Sequence, residues 1–85
     1  PPHAPLPIPP PLTDEIYALV LRHYDEILQH YGEQKGVPLA RKHLAWYSEG
    51  LPGSAAFRAA INKQRDVGVV KELIENYFRQ KRLAA

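Results

Sequence analysis

The chain has no cysteine. No disulfide can staple it, no thiolate can hold a metal ion, and no thiol nucleophile is available. That composition suits a reducing compartment, and a cytoplasmic location is expected. Long apolar runs are missing too: nothing approaches the roughly 20 residues that a membrane-spanning helix needs, so no membrane partner is expected. The amino terminus opens on prolines instead of a basic patch followed by an apolar stretch, which is not a secretory signal and reads as a cut end. There is no glycine-rich phosphate loop and no dinucleotide fingerprint, so a flavin or nicotinamide finds no recognisable seat, and no cofactor is expected in this chain. The two serines, Ser48 and Ser54, fall at expected helix ends, away from the base and orienting group that nucleophilic hydrolysis needs. His23 and His30 stand seven residues apart, about 10.5 Å along a helix, too far to share one metal ion, and no metal site is expected. With 85 residues there is room for one domain, and no space for a cofactor pocket and a substrate domain together. A complete enzyme is therefore not expected.

Acid is scarce in one stretch only. Pro1 to Gln34 carries five acids, Asp14, Glu15, Asp25, Glu26 and Glu33, against the single base Arg22. From Lys35 to Arg65 the balance reverses, with Lys35, Arg41, Lys42, Arg58, Lys63 and Arg65 against Glu49. A net charge of +2 conceals this asymmetry, and a one-sided basic stretch favours a polyanionic partner.

What is abundant is proline at the start and helical periodicity after it. Seven of the first eleven residues are proline, which fixes φ, removes backbone donors and favours an extended arm, so residues 1–12 read as a linker. Two P-x-x-P patterns occur there, without the flanking base that an SH3-type ligand uses. Thr13 suits an N-cap, and Asp14 and Glu15 place negative charge at the positive end of a helix dipole. Ile16, Leu19, Val20, Tyr24, Ile27, Leu28 and Tyr31 then keep the spacing of one buried stripe, with Gly32 to end it. A second helix is expected from about Gly36–Pro38 to Glu49, with Leu39, His43 and Trp46 in one row, Ala40, Leu44 and Tyr47 in the next, and Arg41 and Lys42 facing outward. Pro52-Gly53 suits a type II turn, and Ser54 a third cap before a short helix with Phe57, Ala60 and Ile61 inward. Asp66 suits the cap of a fourth helix, with Val70, Leu73, Ile74, Tyr77 and Phe78 buried and a tail that frays over 80–85. No apolar alternation of period two occurs. The expected fold is all-α: a small antiparallel four-helix bundle over residues 13–79 behind an extended proline-rich arm.

The basic residues Lys35, Arg41, Lys42, Arg58, Lys63 and Arg65 are the candidate phosphate-binding set, with Asn62 and Gln64 adding amides. Arg grips phosphate bidentately, Lys acts as a point charge, and counterion release makes such binding steeply salt-dependent. A solvated helix face is the other reading of the same charges. The aromatic residues fall at core spacing and read as packing, with Tyr17 outside the main stripe; His43 reads as a half-buried imidazole bonded to a neighbour.

The run from Ala40 through Arg41, Lys42, His43, Leu44, Ala45 and Trp46 to Tyr47 continues into Gly50-Leu51-Pro52-Gly53, Phe57-Arg58, Ile61-Asn62, Leu73 and Tyr77-Phe78. Over Leu12 to Phe78 this resembles the carboxy-terminal domain of bacterial B-type tRNA-dihydrouridine synthases. The resemblance implies a parent in which an amino-terminal TIM barrel binds FMN and reduces a tRNA uridine with NADPH, while a helical bundle holds the tRNA. This chain would be the bundle, noncatalytic, with tRNA and the TIM-barrel domain in cis as its partners. Arg41, Lys42 and Arg58 fall within the matching runs; Lys35, Lys63 and Arg65 rest on charge alone. A protein-interaction bundle using the acidic first helix or the proline arm is the alternative, and a helix-turn-helix DNA reader around Gly50–Gly53 a third.

Overall fold

The computed structural model describes residues 14–84, with side chains as far as Arg79; the expected proline-rich arm and the Thr13 cap lie outside the described residues. Three helices, α1 (Asp14–Ser48), α2 (Ser54–Asn62) and α3 (Val67–Ala84), account for the fold, and no strand occurs among the described residues. The all-α expectation holds. The helix count differs, because the two helices expected over 13–32 and 36–49 form one element with a break inside it.

That break is Gly32, whose φ of 81° and ψ of 165° are not helical. This region of backbone space is essentially reserved for glycine, since a Cβ would collide with the neighbouring peptide groups. The chain turns back on itself there. A Cβ built on Gly36 would lie 2.9 Å from the Leu28 side chain and 3.3 Å from the Ile27 carbonyl, and His23 meets both His43 and Tyr47. In a straight helix residues 28 and 36 would be about 12 Å apart, so α1 consists of two limbs packed against each other. The second limb begins straight after Gly32 instead of at Gly36, and Pro38 lies within it, forgoing one bond to the carbonyl four residues earlier.

The core is drawn from every element: Val20, Tyr24 and Ile27 from the first limb, Val37, Ala40 and Leu44 from the second, Phe57 and Ile61 from α2, and Val70, Ile74, Tyr77 and Phe78 from α3. Ser48 is fully buried and donates its hydroxyl to the Ala45 carbonyl, 2.9 Å away. Phe57 stacks on Tyr77 with ring centroids 4.5 Å apart, and both meet Phe78 edge-on. Three expected core residues are exposed instead. Leu19 sits about 100° around the helix from Val20, Tyr31 immediately precedes the bend, and Leu39 is turned about 100° from Ala40 and about 140° from Leu44 on its limb.

The connections follow their turn chemistry. At Pro52-Gly53 the glycine has φ 77° and ψ 7°, and the Ser54 N–H donates to the Leu51 carbonyl at 3.2 Å, the geometry of a type II turn. Ser54 is not the cap of α2: Gly53 holds that position, without a side-chain hydrogen bond, because the turn delivers Ser54 already inside the helix. The Tyr77 hydroxyl donates to the Pro52 carbonyl at 2.9 Å and pins this turn to α3. Asp66 does cap α3, its carboxylate accepting the Val69 N–H at 3.0 Å. The helix then runs on through Ala84, past the end of its apolar stripe at Phe78, where fraying was expected.

Candidate nucleic-acid interface

The link between α2 and α3 is four residues long, Lys63 to Asp66. Its first turn closes through the Lys63 and Gln64 N–H groups on the Ala60 and Ile61 carbonyls, and its last residue is the Asp66 cap. Between these ends, Arg41 reaches across from the second limb of α1 and donates from Nη2 to the Gln64 carbonyl at 3.0 Å. Lys63 and Arg65 flank that carbonyl in the chain and are both exposed. One contact thus brings three of the six candidate residues together.

Lys42 follows Arg41 in the chain and is exposed, and Lys35, also exposed, lies seven residues before it, on nearly the same helix line and about 10.5 Å away. Arg58 is half-buried on α2, near enough to Tyr77 to favour the phenolate, although burial, the larger effect, raises the Tyr77 pKa. Asn62 is the exposed last residue of α2, and Lys63 takes the C-cap position.

Two of the four acids of the first limb, Asp14 and Asp25, are engaged with α3. Asp25 pairs with Lys71 at 2.8 Å, and Arg79 pairs with Glu75 at 3.0 Å and Asp14 at 3.8 Å. Among the described residues none of Lys35, Arg41, Lys42, Arg58, Lys63 and Arg65 is paired with a carboxylate. Their positive charge is left for an external anion or for solvent.

Arg41 itself is only half-buried, yet its Nε is shielded from solvent and finds no acceptor among the described residues. The Tyr24 hydroxyl is in the same state. Burial, then Glu33 and Asp25, push the Tyr24 pKa up to about 12 against a smaller opposing pull from Arg41, so the phenol stays protonated. On the opposite flank of the second limb, His23 Nδ1 and the Tyr47 hydroxyl are hydrogen-bonded at 3.0 Å, and the His23 and His43 rings lie 5.1 Å apart. Burial, His23 and Lys42 together lower the His43 pKa. Most aromatic residues are unavailable for base stacking: Tyr24, Phe57, Tyr77 and Phe78 are core, and Tyr17 carries the Arg79 guanidinium 5.6 Å from its ring centre.

Sequence spacing missed the Arg41–Gln64 contact, since the partners are 23 residues apart and the acceptor is a backbone carbonyl, which no residue type announces. The clustering of bases between Lys35 and Arg65 was the available signal.

Residues 4–82 match the family described as dihydrouridine synthase. The chain is 47% identical over 70 residues to a probable tRNA-dihydrouridine synthase of Rickettsia typhi, covering 82% of this chain and 21% of the relative. It is 36% identical over 80 residues to tRNA-dihydrouridine synthase B of Pseudomonas aeruginosa, covering 94% of this chain and 22% of that protein. A third relative, tRNA-dihydrouridine synthase B of Xanthomonas axonopodis pv. citri, is 37% identical over 71 residues, with 84% and 21% covered. The chain therefore spans about a fifth of the length of the curated relatives it matches. No solved structure matches it significantly.

Proposed function

This chain belongs to the dihydrouridine synthase family, and from that premise we propose that its helices form a tRNA-binding domain, which grips folded tRNA and orients it for uridine reduction by a catalytic domain in cis. The observation that carries this reading is the unpaired basic surface at the junction of α1 with the α2–α3 link, where Arg41 meets the Lys63–Arg65 segment beside Lys42. Phosphate oxygens are the ligands such a surface suits, and contacts of this kind position an RNA without reading its sequence. Lys35 extends the surface along the second limb, and Arg58 contributes from α2.

The described residues do not fit a flavin nucleotide. Gly32, Gly50 and Gly53 serve as bends at positive φ, the space beside Gly36 is taken by Leu28 and that beside Gly68 by the Asp66 carboxylate, so the glycines form no glycine-rich backbone cradle for the FMN phosphate. FMN and NADPH, and the reduction itself, are assigned under this reading to the catalytic domain. The chain's own contribution is affinity and orientation.

Titrating the 85-residue chain with folded tRNA at two salt concentrations tests the proposal. Binding should weaken steeply with salt, and neutralising Lys42, Lys63 and Arg65 together should lower affinity and reduce the slope of log affinity against log salt by about one per lost phosphate contact. Unchanged affinity and slope in that triple variant would refute it.

A further inference from the structure

Arg41 has the residue type of a phosphate grip but the surroundings of a strut. The guanidinium presents two neighbouring N–H groups, Nε and Nη2, along one edge, the fork usually offered to an oxyanion. Here Nη2 is on the Gln64 carbonyl and Nε is out of contact with solvent. That edge is closed to phosphate.

What the edge does hold is the middle of the α2–α3 link. The two ends of the link are fixed by their own helices, through the Ala60 and Ile61 carbonyls on one side and the Asp66 cap on the other. Gln64 lies between, and its carbonyl is fastened to a different element. Lys63 and Arg65 are its immediate neighbours, exposed, and without a carboxylate partner among the described residues. We infer that Arg41 is a positioning residue: it clamps the α2–α3 link onto α1 and so sets where the Lys63 and Arg65 charges stand, instead of binding nucleic acid itself. This rests on the tRNA-binding reading for its functional consequence and on the Arg41 geometry for its mechanism.

A double-mutant cycle separates the roles. Four forms of the chain are compared by tRNA titration in low salt: the unaltered chain, Arg41→Met, the pair Lys63→Ala with Arg65→Ala, and all three changes together. Arg41→Met should lower affinity by about tenfold, and adding it to the Lys63/Arg65 pair should cost nothing further, because the charges it positions are already gone. Additive losses would mean that Arg41 meets phosphate independently, which overturns the inference while leaving the proposed function standing. If neither Arg41→Met nor the pair alters binding, both fall. Backbone amide exchange provides the second readout. In Arg41→Met the amides of Gln64 and Arg65 should exchange faster while that of Ile74, fully buried in α3, keeps its protection. Unchanged exchange at Gln64 and Arg65 overturns the clamp, whatever the binding data; faster exchange at Ile74 as well would mean general destabilisation and also count against it.

Discussion

Tyr24 keeps a hydroxyl in the core without a hydrogen-bond partner among the described residues. A buried polar atom in that state carries a desolvation cost, and removing it returns the cost. Tyr24→Phe is therefore expected to leave stability unchanged or raise it by about 1 kcal/mol, read from chemical denaturation; a clear loss would show that the hydroxyl has a partner. The same phenol binds its proton more tightly folded than unfolded, with its pKa raised from 10.0 to about 12. Its contribution is complete below pH 10.0 and is lost as pH rises toward about 12, so the alkaline decline in melting temperature should be shallower in Tyr24→Phe. His43 has the opposite sign. Its pKa is lowered from 6.5 by burial first and then by His23 and Lys42, so the unfolded chain takes up the proton more readily and stability falls as pH drops below 6.5. Replacing His43 with Leu should flatten that acid limb in melting curves between neutral pH and pH about 5. Tyr47 and Tyr77, whose pKa values burial also raises, remain in both variants and set the residual alkaline sensitivity.

At the scale of elements, the first helix depends on two glycines for different reasons. Gly32 supplies a backbone conformation that other residues resist, and open space around it means sterics with neighbours are not the issue. Gly32→Ala should cost about 1–3 kcal/mol through backbone strain alone. Gly36 has ordinary dihedrals but no room: its missing Cβ would press on Leu28 and the Ile27 carbonyl in the facing limb. Gly36→Val should cost about 1–3 kcal/mol by forcing the limbs apart, and unlike the Gly32 change it should be partly relieved by Leu28→Ala. Equilibrium unfolding of the two singles and the Gly36/Leu28 double variant checks both statements. In α3 the Asp66 carboxylate holds the Val69 N–H, so Asp66→Ala should cost about 1 kcal/mol.

For the whole molecule, the arrangement of charge outweighs its sum. Lys71 and Lys63 each contribute one positive charge, yet Lys71 is paired with Asp25 across α1 and α3, whereas Lys63 has no such partner among the described residues. Lys71→Ala and Lys63→Ala change the net charge equally. Only the second is expected to weaken tRNA binding and reduce the salt slope, by about one unit. Equal effects in a salt-dependent titration would show that long-range charge alone drives association.

Much of this was legible along the chain. The helix periodicity located the core residues Val20, Tyr24, Ile27, Leu44, Phe57, Ile61, Ile74 and Phe78, because burial on a helix repeats with the helical turn and needs only local sequence. Pro52-Gly53 and Asp66 announced a turn and a cap for the same local reason. Leu19 and Tyr31 were misread because spacing locates a stripe but not where a packing partner stops covering it. Gly32 signalled an end to the first helix, but whether the chain would leave a loop or fold straight back depended on Gly36 fitting against Leu28, a contact between limbs. Composition determined that a basic stretch exists between Lys35 and Arg65. Only the tertiary structure decided that the Asp14 and Asp25 carboxylates turn toward α3 and that Arg41 spends its guanidinium edge on a backbone carbonyl 23 residues away. Side-chain chemistry is written in the order of residues, whereas the partner each one meets is set by how the helices pack.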